Sequence, residues 1–353
     1  MTSLPAKMRA VQLRDYETGP QSIAIVEMLV PQPRPGEVLV QVFASPINPS
    51  DISFLRGLYA FKKPLPAVPG FEGSGTVVAS GGGILARFLN GRRVACAVAE
   101  AGARGGMWAE YVVVSARRCV PLSRDVELEA GATMLVNPLM AWAMMDEVRR
   151  GGHRAIVQTA AASALGKMVV RLGQRFSVPV INVVRRTEQV EVLRGMGAEH
   201  VVDSSAGDFD ERLRDLCHKL GATIGFDPVA GETSGRVLRA QPKGSRLVVY
   251  GALSDAPAQI SPASLIFEEK QVEGLWLSAW MGNRNILSQL RVGRKVQRLL
   301  ATDLKTEIQG RISLEEVKYG IDQYAANMTA GKVLVMPGLR DELERGKSVL
   351  QLD

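Results

Sequence analysis

The chain has 353 residues, of which 46% are hydrophobic and 22% charged, and a formal net charge of +7 at pH 7. A length above about 250–300 residues favours two domains over a single core, and the composition is typical of a globular protein in water. The moderate positive charge indicates either an ordinary solvated surface or attraction for polyanions, such as cofactor phosphates or an acidic or phosphate-bearing substrate carrier. Because no basic cluster is interleaved with aromatic residues, we expect no nucleic-acid partner.

The cysteines Cys96, Cys119 and Cys217 are far apart in sequence and form no CxxC pair. No disulfide framework is predicted, which suits a reducing compartment. The sequence also lacks an apolar signal region near its start and any window of about 18 consecutive apolar residues. We therefore expect no membrane span and a cytoplasmic location.

Short apolar runs bounded by glycine and proline dominate the first third of the chain. They are Met8–Leu13, Glu37–Phe43, Gly75–Ala79, Arg93–Ala97 and Trp108–Val114. Segments rich in proline and glycine, such as 31–36 and 81–83, end strands and form turns. The pattern predicts a small, mostly antiparallel β domain over residues 1–128.

Over residues 129–280, apolar strands alternate with helical segments after a first predicted helix, Leu128–Met145. The predicted strands are Ala155–Val157, Val180–Val184, His200–Asp203, Ile224–Asp227, Arg246–Tyr250 and Gln271–Leu277. The predicted helices between them include Thr187–Met196, Asp208–Leu220 and Gly231–Ala240. This alternation is typical of an α/β domain with a doubly wound parallel sheet.

The first βαβ unit of this region carries a candidate phosphate-binding turn. Of the three glycines usual in such a turn, only Gly166 is present. The small residues still allow a diphosphate to approach the N-terminus of the following helix, where free N–H groups favour anions. The turn residues predicted to bind cofactor are Ala162, Ser163, Ala164, Leu165 and Gly166. An ordinary βαβ unit without ligand remains the alternative.

Two basic residues, Arg185 and Arg186, follow the second strand, about 20 residues after the turn. An acidic residue there would bind a ribose 2′-hydroxyl, whereas a basic one suits a 2′-phosphate, so the pair predicts NADPH. The alternative is a pair of solvated arginines at a strand end.

The segment after Trp280 is predicted to be helical and then to return to the first domain. Strands at Thr306–Ile308 and Gly331–Val335 are expected to complete that domain over about residues 281–353. The charged tail from Arg340 to Asp353 is expected to be peripheral.

Several separated motifs resemble the medium-chain dehydrogenase/reductase superfamily over nearly the whole chain. Asn48-Pro-Ser-Asp51 and Pro69-Gly-Phe-Glu72-Gly-Ser-Gly75 resemble its zinc-free quinone oxidoreductase branch. Segments resembling its 2-enoyl thioester reductase branch more closely are Gly57-Leu-Tyr59, Leu135-Val-Asn137-Pro138, Val183-Val-Arg185-Arg186, Gly197-Ala-Glu-His200, Tyr250-Gly251, Leu265-Ile-Phe267, Gly274-Leu-Trp276-Leu-Ser278 and Gly331-Lys332. The resemblance implies a GroES-like β domain, a Rossmann domain and a homodimer whose sheet continues through Gln271–Ser278.

The resemblance also implies roles for individual residues. Tyr59 would donate a proton or position the substrate carbonyl, although its ring could instead pack under its loop. Asn48 would lie near the nicotinamide ribose or the substrate, although Asn48-Pro-Ser-Asp51 could equally cap a helix. Glu72 is expected to be structural.

Cofactor contacts are implied for a further set of residues. Asn137 lies within a predicted apolar helix from Met134 to Met145, where a polar residue needs a partner. The resemblance implies that it faces the cofactor. Lys332 would contact the cofactor, and Trp276 would pack in the core, line the cofactor cleft or support the dimer. A further predicted set follows a strand at its carboxyl end, where doubly wound sheets bind ligands: Tyr250, Gly251, Ala252 and Leu253. The alternative is that these residues form a simple turn between a strand and a loop.

No metal role is expected, because the three histidines lie in or beside the nucleotide-binding half and closely spaced cysteines are missing. The predicted activity is hydride transfer from NADPH to the β-carbon of an enone or 2-enoyl thioester, a small-molecule substrate. The developing enolate would need a hydrogen-bond donor such as Tyr59. Quinone reduction is the alternative on the same fold, and a non-catalytic nucleotide sensor or partner-binding protein is the alternative from another class.

Overall fold

A computed structural model describes residues 4–339 of the chain; the predicted peripheral tail lies outside the described residues. The described chain divides into two compact units. The first comprises residues 4–136, 292–300 and 306–339, and the second comprises Asn137–Arg291 and Ala301–Lys305.

The strands and helices are numbered along the chain. The strands are β1 Lys7–Leu13, β2 Ile23–Leu29, β3 Glu37–Pro46, β4 Glu72–Ser80, β5 Arg93–Ala97, β6 Tyr111–Ser115, β7 Cys119–Pro121, β8 Ile156–Gln158, β9 Val180–Val184, β10 His200–Asp203, β11 Ile224–Asp227, β12 Arg246–Val249, β13 Gln271–Gly274, β14 Ile308–Ile312 and β15 Lys332–Val335. The helices are α1 Pro49–Leu55, α2 Ile84–Leu89, α3 Leu128–Ala132, α4 Asn137–Arg150, α5 Ala164–Phe176, α6 Thr187–Gly195, α7 Phe209–Leu220, α8 Gly231–Ala240, α9 Pro262–Ile266, α10 Leu277–Gly282, α11 Ile286–Gln297 and α12 Val317–Ala326.

The first unit is built on a seven-stranded sheet in the order β14-β15-β3-β4-β5-β7, with β6 also paired to β3. All its pairs are antiparallel except β14–β15, and a separate antiparallel pair joins β1 to β2. The prediction of a mostly antiparallel β domain is therefore confirmed. An aromatic core containing Phe54, Phe71 and Trp108 packs with residues of α12 and β15, including Tyr324 and Val333. This core supports the candidate site of the first unit.

The second unit is built on six parallel strands in the order β10-β9-β8-β11-β12-β13. Strands β9 and β10 lie on one side of β8 in the sheet, and β11, β12 and β13 lie on its other side. This is the doubly wound topology that the alternation predicted, with its switch point between β8 and β11. Every residue of β9 is buried, as expected for a parallel strand covered on both faces.

One predicted helix, Leu128–Met145, is wrong as a continuous element, because α3 ends at Ala132 and α4 begins at Asn137. Pro138 explains the break: proline suits the first turn of a helix, but it has no N–H with which to continue a helix that ran on from α3. Asn137 is consequently the first residue of α4 and does not lie in a helix interior. Within residues 4–339, no helix combines the length and apolarity needed to cross a bilayer.

Candidate active site

A chain of buried hydrogen bonds forms the polar centre of the first unit. Lys332, at the start of β15, donates from Nζ to Asn48 Oδ1 at 2.6 Å, to Tyr324 Oη at 2.8 Å and to the Ile47 carbonyl at 3.4 Å. Asn48 Nδ2 donates to Glu72 Oε1 at 2.9 Å. Lys332 is 2% exposed and Asn48 is fully buried, so this Lys332–Asn48–Glu72 network is closed to solvent.

Glu72 anchors the other end of the network, and sequence reasoning treated it only as a structural residue. Its Oε2 accepts the backbone N–H groups of Leu135 and Val136, both at 2.9 Å. Burial raises the pKa of Glu72 to about 7, against the hydrogen bond from Asn48 and the nearby charge of Lys332, which lower it. A signal was present, since Glu72 is the only charged residue between Val68 and Ser80.

The Asn48-Pro-Ser-Asp51 motif does form a helix cap. The Asp51 carboxylate accepts the Asn48 backbone N–H at 2.8 Å at the start of α1, and its other oxygen accepts the Phe71 N–H at 3.0 Å. Burial raises the pKa of Asp51 to about 7, opposed mainly by these hydrogen bonds. The backbone of Asn48 begins the helix while its side chain joins the network, so the capping and site interpretations do not exclude each other.

Tyr59 lies on the irregular segment that follows α1, as the sequence predicted. Its half-buried ring packs against Phe61 and Phe71, with centroids 5.1 and 4.8 Å away. These ring contacts agree with the alternative in which Tyr59 packs under its loop. The proton-donor role of Tyr59 stays a prediction.

The loop that carries Tyr59 is held by side chains that the sequence did not single out. Tyr16 Oη accepts the Lys63 backbone N–H at 2.8 Å and donates to the Lys63 carbonyl at 2.9 Å. Lys63 Nζ donates to the Gly105 carbonyl at 2.7 Å. Burial lowers the pKa of Lys63 to about 8, although the Asp51 and Glu100 carboxylates favour its charged form. These contacts fix the loop at one end.

In the second unit, the predicted phosphate-binding turn lies between β8 and α5 and is compact. Ser163 is the N-cap of α5, and its Oγ accepts the Gly166 N–H at 3.1 Å. A Cβ on Gly166 would lie 2.3 Å from the Ala161 carbonyl oxygen, so only glycine fits there. Ala160 adopts a φ of 48°, which is unusual for a residue with a side chain.

The five predicted turn residues differ in exposure. Ala162, Leu165 and Gly166 are buried, whereas Ser163 and Ala164 keep accessible surface. The first N–H groups of a helix have no intrahelical acceptor, so the start of α5 can accept an anion through its backbone. The binding of a diphosphate by this turn stays a prediction.

Arg185 and Arg186 directly follow β9 and are both exposed. Neither guanidinium makes a hydrogen bond or ion pair with any residue in the described part of the chain. The backbone of the pair does bond to Gln189: the Arg185 N–H donates to Gln189 Oε1 at 3.1 Å, and the Arg186 carbonyl accepts the Gln189 N–H at 3.0 Å. Because parallel strands end at the same edge of a sheet, the pair lies on the same edge as the phosphate-binding turn. Two positive charges there remain available for an anionic ligand.

A buried carboxylate at the switch point was missed by sequence reasoning. Asp227 ends β11 and accepts hydrogen bonds from the hydroxyls of Thr159 and Ser234, and from the N–H groups of Val229 at 2.9 Å and Ala230 at 3.2 Å. It ties the turn after β8 to the loop after β11. The signal was an acidic residue closing an otherwise apolar strand.

The loop after β12 is joined to the loop after β11 by backbone hydrogen bonds. The N–H groups of Tyr250 and Leu253 donate to the carbonyls of Asp227 and Pro228, at 3.0 and 2.9 Å. Burial, and then the Asp227 carboxylate, raises the pKa of Tyr250. Gly251 is half-buried and Ala252 and Leu253 are exposed. This predicted set therefore lies at the carboxyl edge of the parallel sheet and keeps accessible surface.

The remaining predicted residues are placed less uniformly. Asn137 is half-buried, and its side-chain amide makes no hydrogen bond within residues 4–339. Trp276 is 52% exposed and precedes α10, which excludes the core position considered for it. Lys332 is buried in the first unit's network, and its predicted cofactor contact stays a prediction. Among the described residues, no group of three or more His, Cys, Asp or Glu is arranged to hold a metal ion.

Comparison with known proteins places the chain in a class. Residues 34–124 match the alcohol dehydrogenase GroES-like domain, and residues 164–291 match the zinc-binding dehydrogenase domain. The chain is 31% identical over 268 residues to the mitochondrial enoyl-[acyl-carrier-protein] reductase of Arabidopsis thaliana, covering 74% of this chain and 70% of that protein. The corresponding human protein is 30% identical over 281 residues, covering 78% of this chain and 74% of that protein.

A solved structure from Mesorhizobium loti, assigned provisionally as an NADPH:quinone reductase, superposes with a TM-score of 0.87 at 34% identity, covering 95% of this chain and 100% of that one. The fold, the switch-point turn and these matches define an oxidoreductase made of a GroES-like and a Rossmann-like domain. The chain belongs to the medium-chain dehydrogenase/reductase superfamily, in its zinc-free group of enoyl reductase and quinone reductase-like proteins.

Proposed function

We propose that the chain is an NADPH-dependent reductase of an activated C=C bond in a 2-enoyl thioester or an enone. NADPH, when bound, supplies the hydride, which adds to the β-carbon of the substrate. The protein then has to stabilise negative charge on the carbonyl oxygen, for which a positioned hydrogen-bond donor is the usual device. The observation that carries this proposal is the half-buried phenol of Tyr59 on a loop held by Tyr16 and Lys63.

The proposal assigns cofactor binding to the Rossmann-like part, residues 129–280, and catalysis to residues 1–128 completed by about 281–353. The N-terminus of α5, with Ser163 and Ala164 accessible, would bind the diphosphate, and Arg185 with Arg186 would bind the 2′-phosphate. The two guanidiniums have no competing carboxylate partner within the described chain, which supports selectivity for NADPH over NADH.

The Lys332–Asn48–Glu72 network has a supporting role in the proposal. Asn48 has no exposed surface, so its contacts favour a positioning function over direct proton transfer. Lys332 directs the amide oxygen and Glu72 directs the amide nitrogen, which leaves the Asn48 side chain a single orientation. A rigid support of this kind reduces the reorganisation needed during catalysis.

Quinone reduction is a second candidate, favoured by the similarity to the Mesorhizobium loti protein. Both reactions use the same hydride donor, but only alkene reduction also requires a proton at the α-carbon. Tyr59 would therefore matter more for an enoyl substrate than for a quinone.

The first experiment is a calorimetric titration of the purified protein with NADPH and with NADH. We expect NADPH to bind at least ~10-fold more tightly, a difference of ~1.4 kcal/mol. NADPH oxidation is then followed with 2-enoyl thioesters, enones and quinones. Failure to bind either nucleotide contradicts the oxidoreductase assignment, whereas binding with turnover of quinones alone selects the second candidate.

A homodimer and a cytoplasmic location are also part of the proposal. The edge strand β13 is exposed along its whole length and has its outer side unpaired among the described strands, which supports pairing with a second copy. Light scattering tests the oligomeric state, with Val272→Pro on the edge strand expected to shift it toward monomer. Cell fractionation tests the location.

A further inference from the structure

Two cysteines that are far apart in sequence face each other across the edge of the first unit's sheet. Cys96 on β5 pairs with Cys119 on β7 in antiparallel register, 23 positions apart along the chain. Three positions along the two strands from this pair, the Leu122 N–H donates a hydrogen bond to the Arg93 carbonyl at 2.9 Å. Hydrogen-bonded and non-hydrogen-bonded pairs alternate along an antiparallel ladder.

Counting inward from that bond, Val94 with Pro121 is a non-hydrogen-bonded pair, which suits a proline without an N–H. Ala95 with Val120 is hydrogen-bonded, and Cys96 with Cys119 is again non-hydrogen-bonded. At such positions the Cα atoms are about 4.5 Å apart and the side chains lie closest. That separation falls within the Cα–Cα range that a disulfide spans, about 4.4–6.8 Å.

The two thiols already touch. Cys96 Sγ lies 3.4 Å from Cys119 Sγ, and the Cys119 thiol points to the Ser115 carbonyl at 3.6 Å. Both residues are buried: Cys96 has no exposed surface, and Cys119 is 7% exposed. The hydrogen bond to Cys119, together with burial, raises the pKa of Cys96, which keeps it as a thiol. Both sulfurs are therefore shielded from reagents in solvent while this edge of the sheet is closed.

Access is provided by the position of Cys119. Strand β7 has only three residues and lies at the end of the sheet, beyond β5. Its outer side is held by the side chain of Gln297, which donates to the Pro121 carbonyl at 3.2 Å and accepts the Ser123 N–H at 2.8 Å. Short edge strands open locally at less cost than central ones, and opening β7 exposes Cys119 before Cys96.

We propose that Cys96 and Cys119 form an oxidisable dithiol site, which low-molecular-weight disulfides such as oxidised glutathione convert to an intramolecular disulfide. The Cys119 thiolate attacks one sulfur of the small disulfide, the S–S bond breaks and one small thiolate leaves. The Cys96 thiolate then attacks Cys119 Sγ and expels the second small thiolate. The two departing thiolates take up the two protons that the cysteines lose and become thiols. The protein is thus oxidised and the small disulfide is reduced.

The test incubates the folded, full-length protein with excess oxidised glutathione, unfolds it in a thiol-blocking reagent and maps the peptides by mass spectrometry. We expect a peptide linking Cys96 to Cys119 that lacks two hydrogen atoms, with Cys217 alone alkylated. Cys217→Ser is the matched control and should retain the link. Cys96→Ser and Cys119→Ser should abolish it, and Cys96→Ser should instead leave glutathione attached to Cys119.

Three alkylated cysteines after incubation would overturn the proposal, as would a glutathione adduct on Cys119 of the wild-type chain that never resolves. A linked peptide that forms only in denaturant would also overturn it, because the native register would then play no part. The midpoint of thermal unfolding is a second readout. Since the link closes a loop between β5 and β7, oxidation should raise that midpoint in wild type and in Cys217→Ser but not in Cys96→Ser.

Discussion

Lys332 Nζ lies 2.6 Å from Asn48 Oδ1, although the two residues are separated by 284 positions. The contact joins the first residue of β15 to the residue that caps α1, and it is wholly buried. A buried ammonium group is costly unless its N–H groups donate hydrogen bonds to acceptors in the protein. Here they are used on the Asn48 amide, the Tyr324 hydroxyl and the Ile47 carbonyl.

Lys332→Met should therefore destabilise the fold by about 3 kcal/mol or more, because it leaves the buried Asn48 and Tyr324 oxygens without their donor. Urea unfolding measures the effect. Lys318→Met, on the solvent side of α12, is the matched control and should change stability by no more than about 0.5 kcal/mol. Equal effects of the two substitutions would contradict the role given to the network.

The raised pKa of Glu72 predicts a pH dependence of stability. Between its ordinary pKa of 4.5 and its folded value of about 7, Glu72 is protonated in the native state and ionised in the unfolded state. Stability should thus fall as pH rises through this window, by on the order of 3 kcal/mol from this residue. Asp51, with its pKa raised to about 7, contributes in the same direction.

Glu72→Gln cannot ionise, so its free energy of unfolding should depend less steeply on pH between 4.5 and 7 than that of wild type. Asp51→Asn should likewise make the free energy of unfolding depend less steeply on pH. Denaturant unfolding at several pH values within the window measures both. A wild-type slope retained in Glu72→Gln would show that Glu72 is ionised in the native state throughout.

Tyr59→Phe tests the proposed hydrogen-bond donor. Turnover of an enoyl thioester should drop by about 10²–10³-fold, the usual cost of losing one such donor, while the Kd for NADPH stays the same. Tyr319→Phe removes a hydroxyl from an exposed tyrosine of the same unit and should leave turnover unchanged. Unaltered kcat in Tyr59→Phe would remove Tyr59 from the mechanism.

Gly166→Ala tests the phosphate-binding turn. The added methyl would lie 2.3 Å from the Ala161 carbonyl oxygen, so the turn must shift; we expect a loss of about 2 kcal/mol or more in stability and weaker NADPH binding. Gly195→Ala is the matched control, since nothing lies within 4 Å of its Cβ position. At the end of α6 that change should be neutral or stabilising by up to about 1 kcal/mol. Calorimetry and thermal unfolding distinguish the two.

The arginine pair after β9 sets the expected choice of nucleotide. Replacing both Arg185 and Arg186 by alanine should raise the Kd for NADPH at least ~10-fold and leave that for NADH nearly unchanged. Arg194→Ala, which removes one exposed positive charge paired with Glu191 on α6, is the control for losing an exposed arginine elsewhere in the same unit. Parallel weakening of both nucleotides would indicate that the pair acts through the fold and not through the 2′-phosphate.

The second unit shows how far local pattern can be used. Strands β10 and β11 have the predicted bounds, and helix α8 matches its predicted span, because buried parallel strands are continuous apolar runs and helices between them have their own period. The break between α3 and α4 was missed, although Pro138 marks it. A proline in an apolar run can either start a helix or interrupt one, and packing decides between the two.

The sequence by itself determined the alternation of elements, the two-part organisation, the switch-point turn with its single glycine and the basic pair after β9. These features depend on residues close together in the chain, where periodicity, turn chemistry and spacing carry the information. Only the tertiary structure decided that Lys332 holds Asn48, that Glu72 receives the N–H groups of Leu135 and Val136, and that Cys96 meets Cys119. Such contacts join distant segments through sheet order and register, and a pattern of burial tells which face a residue lies on but not which partner it meets there.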